Sequence, residues 1–306
     1  MENKKLYENC ILCPRNCNTN RNDGNIGACM VSGKLKLARA ALHYWEEPCI
    51  SGENGSGTIF FSGCSLGCVF CQNYAISDGK SPYGVEVDTR RLAEIFYELK
   101  EKGTNNINFV TPTHFMPHIK ESVKMAKEQG FDLPFIYNTS GYEKRDVIRE
   151  LDGIMDVYLP DFKYYNSELS MKYSKTTDYF ARASESLEEM VRQTGEAQFT
   201  QSGMIKKGVI VRHMVLPNHT RDSKKVIEYL YKTYGDSIYI SIMNQYTPVE
   251  TDRMKAYPEL ARSITAREYD KVVDYALNIG VKNAFIQEGA TDKESFIPSF
   301  DGEGCR

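Results

Sequence analysis

Three cysteines, Cys64, Cys68 and Cys71, stand at C-x3-C-x2-C within TIFFSGCSLGCVFCQN, residues 58–73. They follow an apolar run, Thr58 to Phe61, that reads as a buried strand, and Gly63 and Gly67 allow the loop to wrap around something compact. A closed zinc site wants four ligands in a tetrahedron. Three thiolates leave one position open, which suits an iron–sulfur cluster with one iron free of protein. The plainer alternative is a structural metal knuckle, and no fourth ligand stands nearby to complete it.

A second set precedes this one. Cys10, Cys13, Cys17 and Cys29 are spaced C-x2-C-x3-C-x11-C, with Pro14, Gly24 and Gly27 supplying turns. Four thiolates make a complete set for a metal. A zinc clip that orders the N-terminus and an auxiliary iron–sulfur cluster that passes electrons or touches substrate fit the spacing equally. Cys49, beside Pro48, reads as a buried thiol, and Cys305, next to last, as a free tail thiol.

The elements that must position these groups are legible in outline. At 306 residues, 41% hydrophobic and 26% charged, the chain can bury a large core. A net charge of −3 makes no overall electrostatic case for nucleic acid or an anionic membrane. No apolar run has the length of a membrane span and the start, MENKKLYENC, lacks a signal-peptide core, so a cytoplasmic protein is expected. Cysteines in short-spaced groups fit metal ligation in a reducing compartment better than disulfides.

The Gly/Ser-rich stretch ISGENGSG, residues 50–57, reads as a joint, placing a Cys-rich N-terminal extension over 1–50 and the main domain over 51–306. From Thr58 onward, short apolar runs alternate with amphipathic segments. Strands are expected at 106–110, 134–138, 154–159, 208–216, 237–243 and 283–287. Helices are expected at 88–103 with Asp88 as N-cap, up to Gly130, over 143–151, mostly over 167–193, over 223–234, and over 265–279 opened by the capping box Thr265/Glu268. Such alternation argues for an α/β fold of parallel βα units, as open sheet or barrel. Parallel barrels place chemistry at the C-terminal ends of their strands.

The Cys64–Cys71 motif with Phe70 before its last cysteine resembles the signature of the radical S-adenosylmethionine (SAM) enzymes. Across most of the chain the segments CPRNC, GTIFFSGC, VTPTH and LPDFKY look like those of the group related to pyruvate formate-lyase activating enzyme, particularly its uncharacterised members. The resemblance implies a partial (β/α)6 TIM-type barrel with a small Cys-rich N-terminal extension, a [4Fe-4S] cluster on Cys64, Cys68 and Cys71, and SAM on the fourth iron. It implies reductive cleavage of SAM to methionine and a 5′-deoxyadenosyl radical that abstracts hydrogen from a substrate. The substrate is a protein or peptide in the activase-like reading and a peptide or small molecule in the modifying-enzyme alternative. The electron donor implied is a flavodoxin or ferredoxin. Outside enzymes stands an iron–sulfur or zinc protein that binds metal or transfers electrons.

Residue by residue, the resemblance places Phe70 beside the adenine. Where the family has Gly-Gly-Glu for the cofactor's amino group, Thr111-Pro112-Thr113 stand here, leaving Thr111, Thr113 or backbone carbonyls for that role. Asn138, Thr139, Ser140 and Gly141 resemble the Asp-Thr-Asn-Gly turn of the activases, and their short polar side chains suit a loop that contacts a cofactor. Asp161 and Lys163 resemble the Asp-x-Lys motif, in which the acid lines the site and the lysine meets the cofactor. Arg212 sits mid-strand among apolar residues, which is costly unless it points into a polar interior and pairs with an anion. A similar arginine in the activases reaches the cofactor carboxylate. Gln245 is placed over the cofactor. Of the histidines, His114 is a candidate pocket-facing group with a capping or surface role as the alternative. His118 gains no metal role because Pro117 disturbs the helix and no third ligand is evident. His213 is expected to be packed and His219 to lie at the surface.

Overall fold

The computed structural model describes residues 2–77, 82–287 and 297–306. Among the described residues, ten strands form one sheet: β1 (Lys36–His43), β2 (Ser56–Phe61), β3 (Val85–Glu86), β4 (Ile107–Val110), β5 (Phe135–Thr139), β6 (Val157–Pro160), β7 (Gln198–Phe199), β8 (Ile205–Met214), β9 (Tyr239–Met243) and β10 (Ala284–Ile286). Its order is β10-β9-β8-β6-β5-β4-β2-β1-β3, with β7 paired on β8. The seven strands from β2 to β10 in that path are mutually parallel and follow one another in sequence. Among the described residues the sheet does not close on itself, so the fold is a partial, open barrel.

The parallel strands read as near-continuous apolar runs because both faces are covered; every residue of β2, β5 and β6 is buried. The helix Thr89–Glu101 buries Leu92, Ile95, Phe96 and Leu99 and starts where the Asp88 side chain accepts from the Arg91 N–H at 2.8 Å. Phe96 packs edge-on to Phe109 of β4 and Phe135 of β5, with centroids 5.6 and 5.3 Å apart, tying helix to sheet. The helix Ala266–Asn278 carries the expected capping box, Thr265 with Glu268. The segment read as mostly helical divides into Ser167–Ser174 and Tyr179–Thr194. The expected helix over 143–151 is only Arg145–Arg149.

The expected boundary at residue 50 does not coincide with a break in the fold. Strand β1 runs antiparallel to β2 from Leu37↔Phe61 to His43↔Ser56 and extends the same sheet. The apolar core is continuous from Tyr7, Leu12 and Cys29 through the barrel. Two contacts from His118 seat the N-terminal segment: its ring stacks on Tyr7 with centroids 5.4 Å apart and its Nε2 lies 2.8 Å from the Gly33 carbonyl. Cys305, expected as a free tail thiol, is free but fully buried in the core, and Cys49 is a buried free thiol as expected.

Candidate active site

A cavity enclosing about 1180 Å³, its open mouth included, lies at the C-terminal ends of the parallel strands. Cys64, Cys68 and Cys71 line it, carried by the loop that leaves β2. Gly63 lets that loop form: at φ +88°, a side chain there would put Cβ 2.4 Å from the Cys29 carbonyl oxygen. The Cys64 N–H donates to that same carbonyl at 3.2 Å. Hydroxyls address two of the sulfurs, Ser174 Oγ donating to Cys68 at 3.0 Å and Ser77 Oγ to Cys71 at 3.2 Å. Burial, with the neighbouring Cys71 charge, pushes the Cys64 thiol up to about 12. Burial likewise raises Cys71, while Ser77 and Lys163 pull it down. Metal binding at these thiols must therefore displace protons, and a cationic centre would do so. Among the described residues no three His, Cys, Asp or Glu side chains gather as a single-ion site. A donor set of three soft thiolates on one loop fits a cluster with an open iron, whose ligands stand at separate corners.

Around these sulfurs the strand ends deliver a polar network. Arg212, near the C-terminal end of β8, donates Nε to Asp161 Oδ1 at 3.1 Å, Nη1 to Glu46 Oε2 at 2.9 Å and Nη2 to Asn138 Oδ1 at 2.6 Å. Lys163 Nζ reaches the other Asp161 oxygen at 2.7 Å. The Glu46 Oε1 atom accepts from Asn108 at 3.0 Å and from Asn138 at 3.2 Å. Burial would raise the Asp161 carboxyl, but Lys163 and Arg212 outweigh it and hold Asp161 below its ordinary value. Burial would lower Lys163, but Asp161 and Cys68 keep it raised and cationic. The turn of Gly141 presses on this network: a Cβ there would stand 2.2 Å from the Asp161 carbonyl oxygen.

Of the residues singled out in the sequence, Phe70, Thr111, Asn138, Thr139, Asp161, Lys163, Arg212 and Gln245 all line the cavity with the three cysteines. Phe70 is held by Tyr164, Tyr173 and Tyr246, each edge-on at 6.2–6.4 Å. Thr111 sits at φ +60°, left-handed backbone that a β-branched residue seldom adopts, and such strain concentrates at functional sites.

Others fall elsewhere. Thr113 is buried away from the cavity lining and donates to Glu143 at 2.5 Å, because the backbone turns into a short 3-10 helix after Pro112. His114 neither faces the pocket nor lies at the surface: it is buried, Nε2 lying 2.8 Å from the Ser62 carbonyl. His213 is packed, as its position on β8 predicts, with Nδ1 2.7 Å from the Phe162 carbonyl. His219 is partly buried, its Nε2 2.8 Å from Tyr173 Oη, rather than a plain surface residue. Cys10, Cys13, Cys17 and Cys29 do not line the cavity.

Sequence reasoning missed Glu46, together with His43 and Trp45 from the same stretch. The signal was present in LARAALHYWEEP, a strand-like run ending in two acids, but it lay on the far side of the supposed joint. Glu143 was also missed. It is fully buried, Thr113 and Thr139 both donate to its Oε1, and its Oε2 and the nearby Tyr137 hydroxyl have no partner. Burial pushes its carboxyl from 4.5 up to about 7 despite those two bonds. A raised carboxyl binds its proton more tightly when folded, so its contribution is complete below the unfolded value and lost as pH rises through the folded one. Wild-type stability should thus fall by on the order of 3 kcal/mol between pH 4.5 and 7 relative to Glu143→Gln, which keeps the Oε1 acceptor. Urea melts across that range check this, and parallel pH profiles of the two proteins would refute it.

Comparison with known proteins bears on the same region. Residues 58–230, more than half of the chain, match the family model described as the radical SAM superfamily. An uncharacterized protein of Methanocaldococcus jannaschii is 30% identical over 282 residues, covering 89% of this chain and 75% of that protein. Among solved structures, HydG, a maturase of the [FeFe]-hydrogenase, superposes with TM-score 0.51 at 12% identity over 78% of this chain and 53% of its own. Methylornithine synthase (PylB) gives 0.50 at 14% identity over 87% of this chain and 79% of its own. The chain spans about half the length of several solved structures it matches, HydG among them. At these identities the structures speak to fold alone. The family match covers the cysteine loop and the strands that carry Asn138, Asp161 and Arg212, and by it this chain belongs to the radical SAM superfamily.

Proposed function

We propose that the protein is an enzyme that binds a [4Fe-4S] cluster on Cys64, Cys68 and Cys71 and SAM beside it, and uses the resulting radical to take hydrogen from a substrate. The observation that carries this reading is the convergence of the three thiols with Phe70, Lys163, Arg212 and Asp161 on one cavity. When bound, the cluster supplies the electron that splits SAM into methionine and a 5′-deoxyadenosyl radical.

The chain's own residues bind, orient and exclude water. Lys163 and Arg212 offer cationic donors to the cofactor's carboxylate. Of the five N–H groups of Arg212, three are engaged by Asp161, Glu46 and Asn138, and among the described residues the other two are open to a ligand. Phe70 presents a fixed aromatic wall to the adenine, and Gln245, just past the end of β9, lines the same cavity. Thr111 and the carboxylates of Asp161 and Glu46 are the groups available to an ammonium. The fourth ligand position that three thiolates leave open is where the amino-acid end of SAM would sit.

The finer reading is a glycyl-radical-enzyme activase-like protein acting on a protein or peptide, with a flavodoxin or ferredoxin as electron donor, in the cytoplasm. It rests on the resemblance of CPRNC, GTIFFSGC, VTPTH and LPDFKY. Among the described residues no helix is long and apolar enough to cross a membrane. The test is anaerobic reconstitution followed by dithionite and SAM. Release of 5′-deoxyadenosine and methionine is expected; a folded, iron-loaded protein that releases neither would leave a metal-binding or electron-transfer protein as the better account.

A further inference from the structure

The first thirty residues contain a buried cation that, among the described residues, forms no ion pair with a carboxylate. Arg21 is 1% exposed. Its guanidinium donates to three backbone carbonyls, Val31 at 3.3 Å, Ser32 at 2.7 Å and His114 at 2.9 Å, and its Nη1 lies 3.7 Å from Cys10 Sγ. It stacks over the Tyr7 ring at 4.7 Å. Carbonyls and rings satisfy its hydrogen bonds but not its charge, and a buried, uncompensated charge is among the costliest arrangements a fold can hold. The Tyr7 ring and the Cys10 sulfur lie against it, and Cys29 is a further ionisable group beside it.

Cys10 and Cys29 belong to the four-cysteine set. Gly27 lies between two of the sulfurs: a Cβ there would stand 3.2 Å from Cys17 Sγ and 3.8 Å from Cys29 Sγ. The Ala28 N–H donates to Cys17 Sγ at 3.2 Å. Cys13 and Cys10 join through a tight turn, with Asn16 N–H on the Cys13 carbonyl and Asn18 N–H on the Cys10 carbonyl, and with Asn16 and Asn18 in left-handed backbone.

We propose that Cys10, Cys13, Cys17 and Cys29 form a second, tetrathiolate metal centre, with Arg21 as its buried counter-cation. Four thiolates around a divalent ion, or around a cluster core of equal charge, leave a net dianion. Arg21 is the cation placed to offset it, and the Ala28 N–H is a backbone donor to one of its sulfurs. The sulfurs are not gathered on a single-ion point; loading would draw them together and order the segment, as metal binding commonly does. The centre would be coupled to the cavity through the backbone. The Cys29 carbonyl accepts from Cys64 N–H, and Arg15, between Cys13 and Cys17, donates to the carbonyls of Ser65 and Leu66 in the Cys64–Cys68 loop and of Ser174 behind Cys68.

Zinc and an iron–sulfur cluster share this chemistry, and metal analysis separates them. The full-length Cys64→Ala/Cys68→Ala/Cys71→Ala protein, reconstituted anaerobically with iron, sulfide and zinc, should retain either about four iron or about one zinc per chain. Iron with charge-transfer absorption and an EPR signal on reduction would assign an electron relay, and zinc a structural clip. Adding Cys13→Ala and Cys17→Ala should remove that metal. In the triple-variant background, Arg21→Met should weaken metal retention against a chelator about 10- to 100-fold, the range for groups that support a metal's ligands. No metal above trace in the triple variant would overturn the proposal, whether or not the five-cysteine variant folds. Unchanged chelator resistance in folded Arg21→Met would overturn the role of Arg21. Neither outcome depends on SAM cleavage, so failure here is distinct from failure of the proposed reaction.

Discussion

Cys68→Ala is expected to bring 5′-deoxyadenosine release down to the level of a no-enzyme control, with the secondary structure unchanged by circular dichroism. Cys68 is the middle ligand of three on the loop after β2, is 6% exposed, and accepts from Ser174 Oγ at 3.0 Å. With only three thiolates available, losing one leaves two, and the cavity lining offers no further cysteine to replace it. The fold does not depend on this sulfur, because the loop is pinned by its backbone: Val69 N–H donates to the Tyr173 carbonyl and Cys64 N–H to the Cys29 carbonyl. Ser174→Ala removes only the hydroxyl behind the sulfur and should lower turnover about 10- to 100-fold, as loss of a group behind a metal ligand does. Iron content and 5′-deoxyadenosine measured together check both. A Cys68→Ala protein that keeps full iron and turnover would remove the cluster from this loop.

Replacing Arg212 with methionine should have the largest effect on stability of any single change at the cavity. The guanidinium ties Asp161, Glu46 and Asn138 into one network, and the side chains of Asp161 and Glu46 are only 16% and 7% exposed. Removing it leaves Glu46 facing two amide donors alone and Asp161 facing Lys163 alone. Breaking a buried pair in this way costs about 3–5 kcal/mol. Restoring charge balance with Glu46→Gln in the Arg212→Met background should recover part of that loss; no recovery would mean the arginine acts through packing. The same variant should bind SAM about 30-fold more weakly or worse, from loss of a buried cationic donor worth 2 kcal/mol or more. Trp45, the only tryptophan in the chain, lines the cavity, so its fluorescence during a SAM titration reads binding directly. Unaltered affinity would place the cofactor's carboxylate elsewhere.

The spacing of Cys64, Cys68 and Cys71, the alternation of strand and helix from Thr58 onward, and the isolated charge of Arg212 in an apolar strand were determined by the sequence alone. Each rests on local rules: ligand spacing along one loop, periodicity within one element, and the cost of a lone charge inside a strand. The helix starts at Asp88 and Thr265 were legible for the same reason, since a cap involves residues three apart.

Only the tertiary structure decided what lies between elements. Strand β1 pairs with β2 across the joint, and nothing within Lys36–His43 announces its partner, because antiparallel pairing is a property of two segments. Glu46 enters the site by that pairing alone, from 166 residues before Arg212. Thr113 and Thr111 are two residues apart and chemically alike, yet one turns to Glu143 and the other lines the cavity, because the chain leaves β4 in left-handed backbone at Thr111. The N-terminal cysteines read as a separate Cys-rich extension in one dimension. In three, the Cys29 carbonyl holds Cys64 N–H and Arg21 buries a charge beside the thiols, since a hydrogen bond and an ion's counter-charge depend on distance in space and not along the chain.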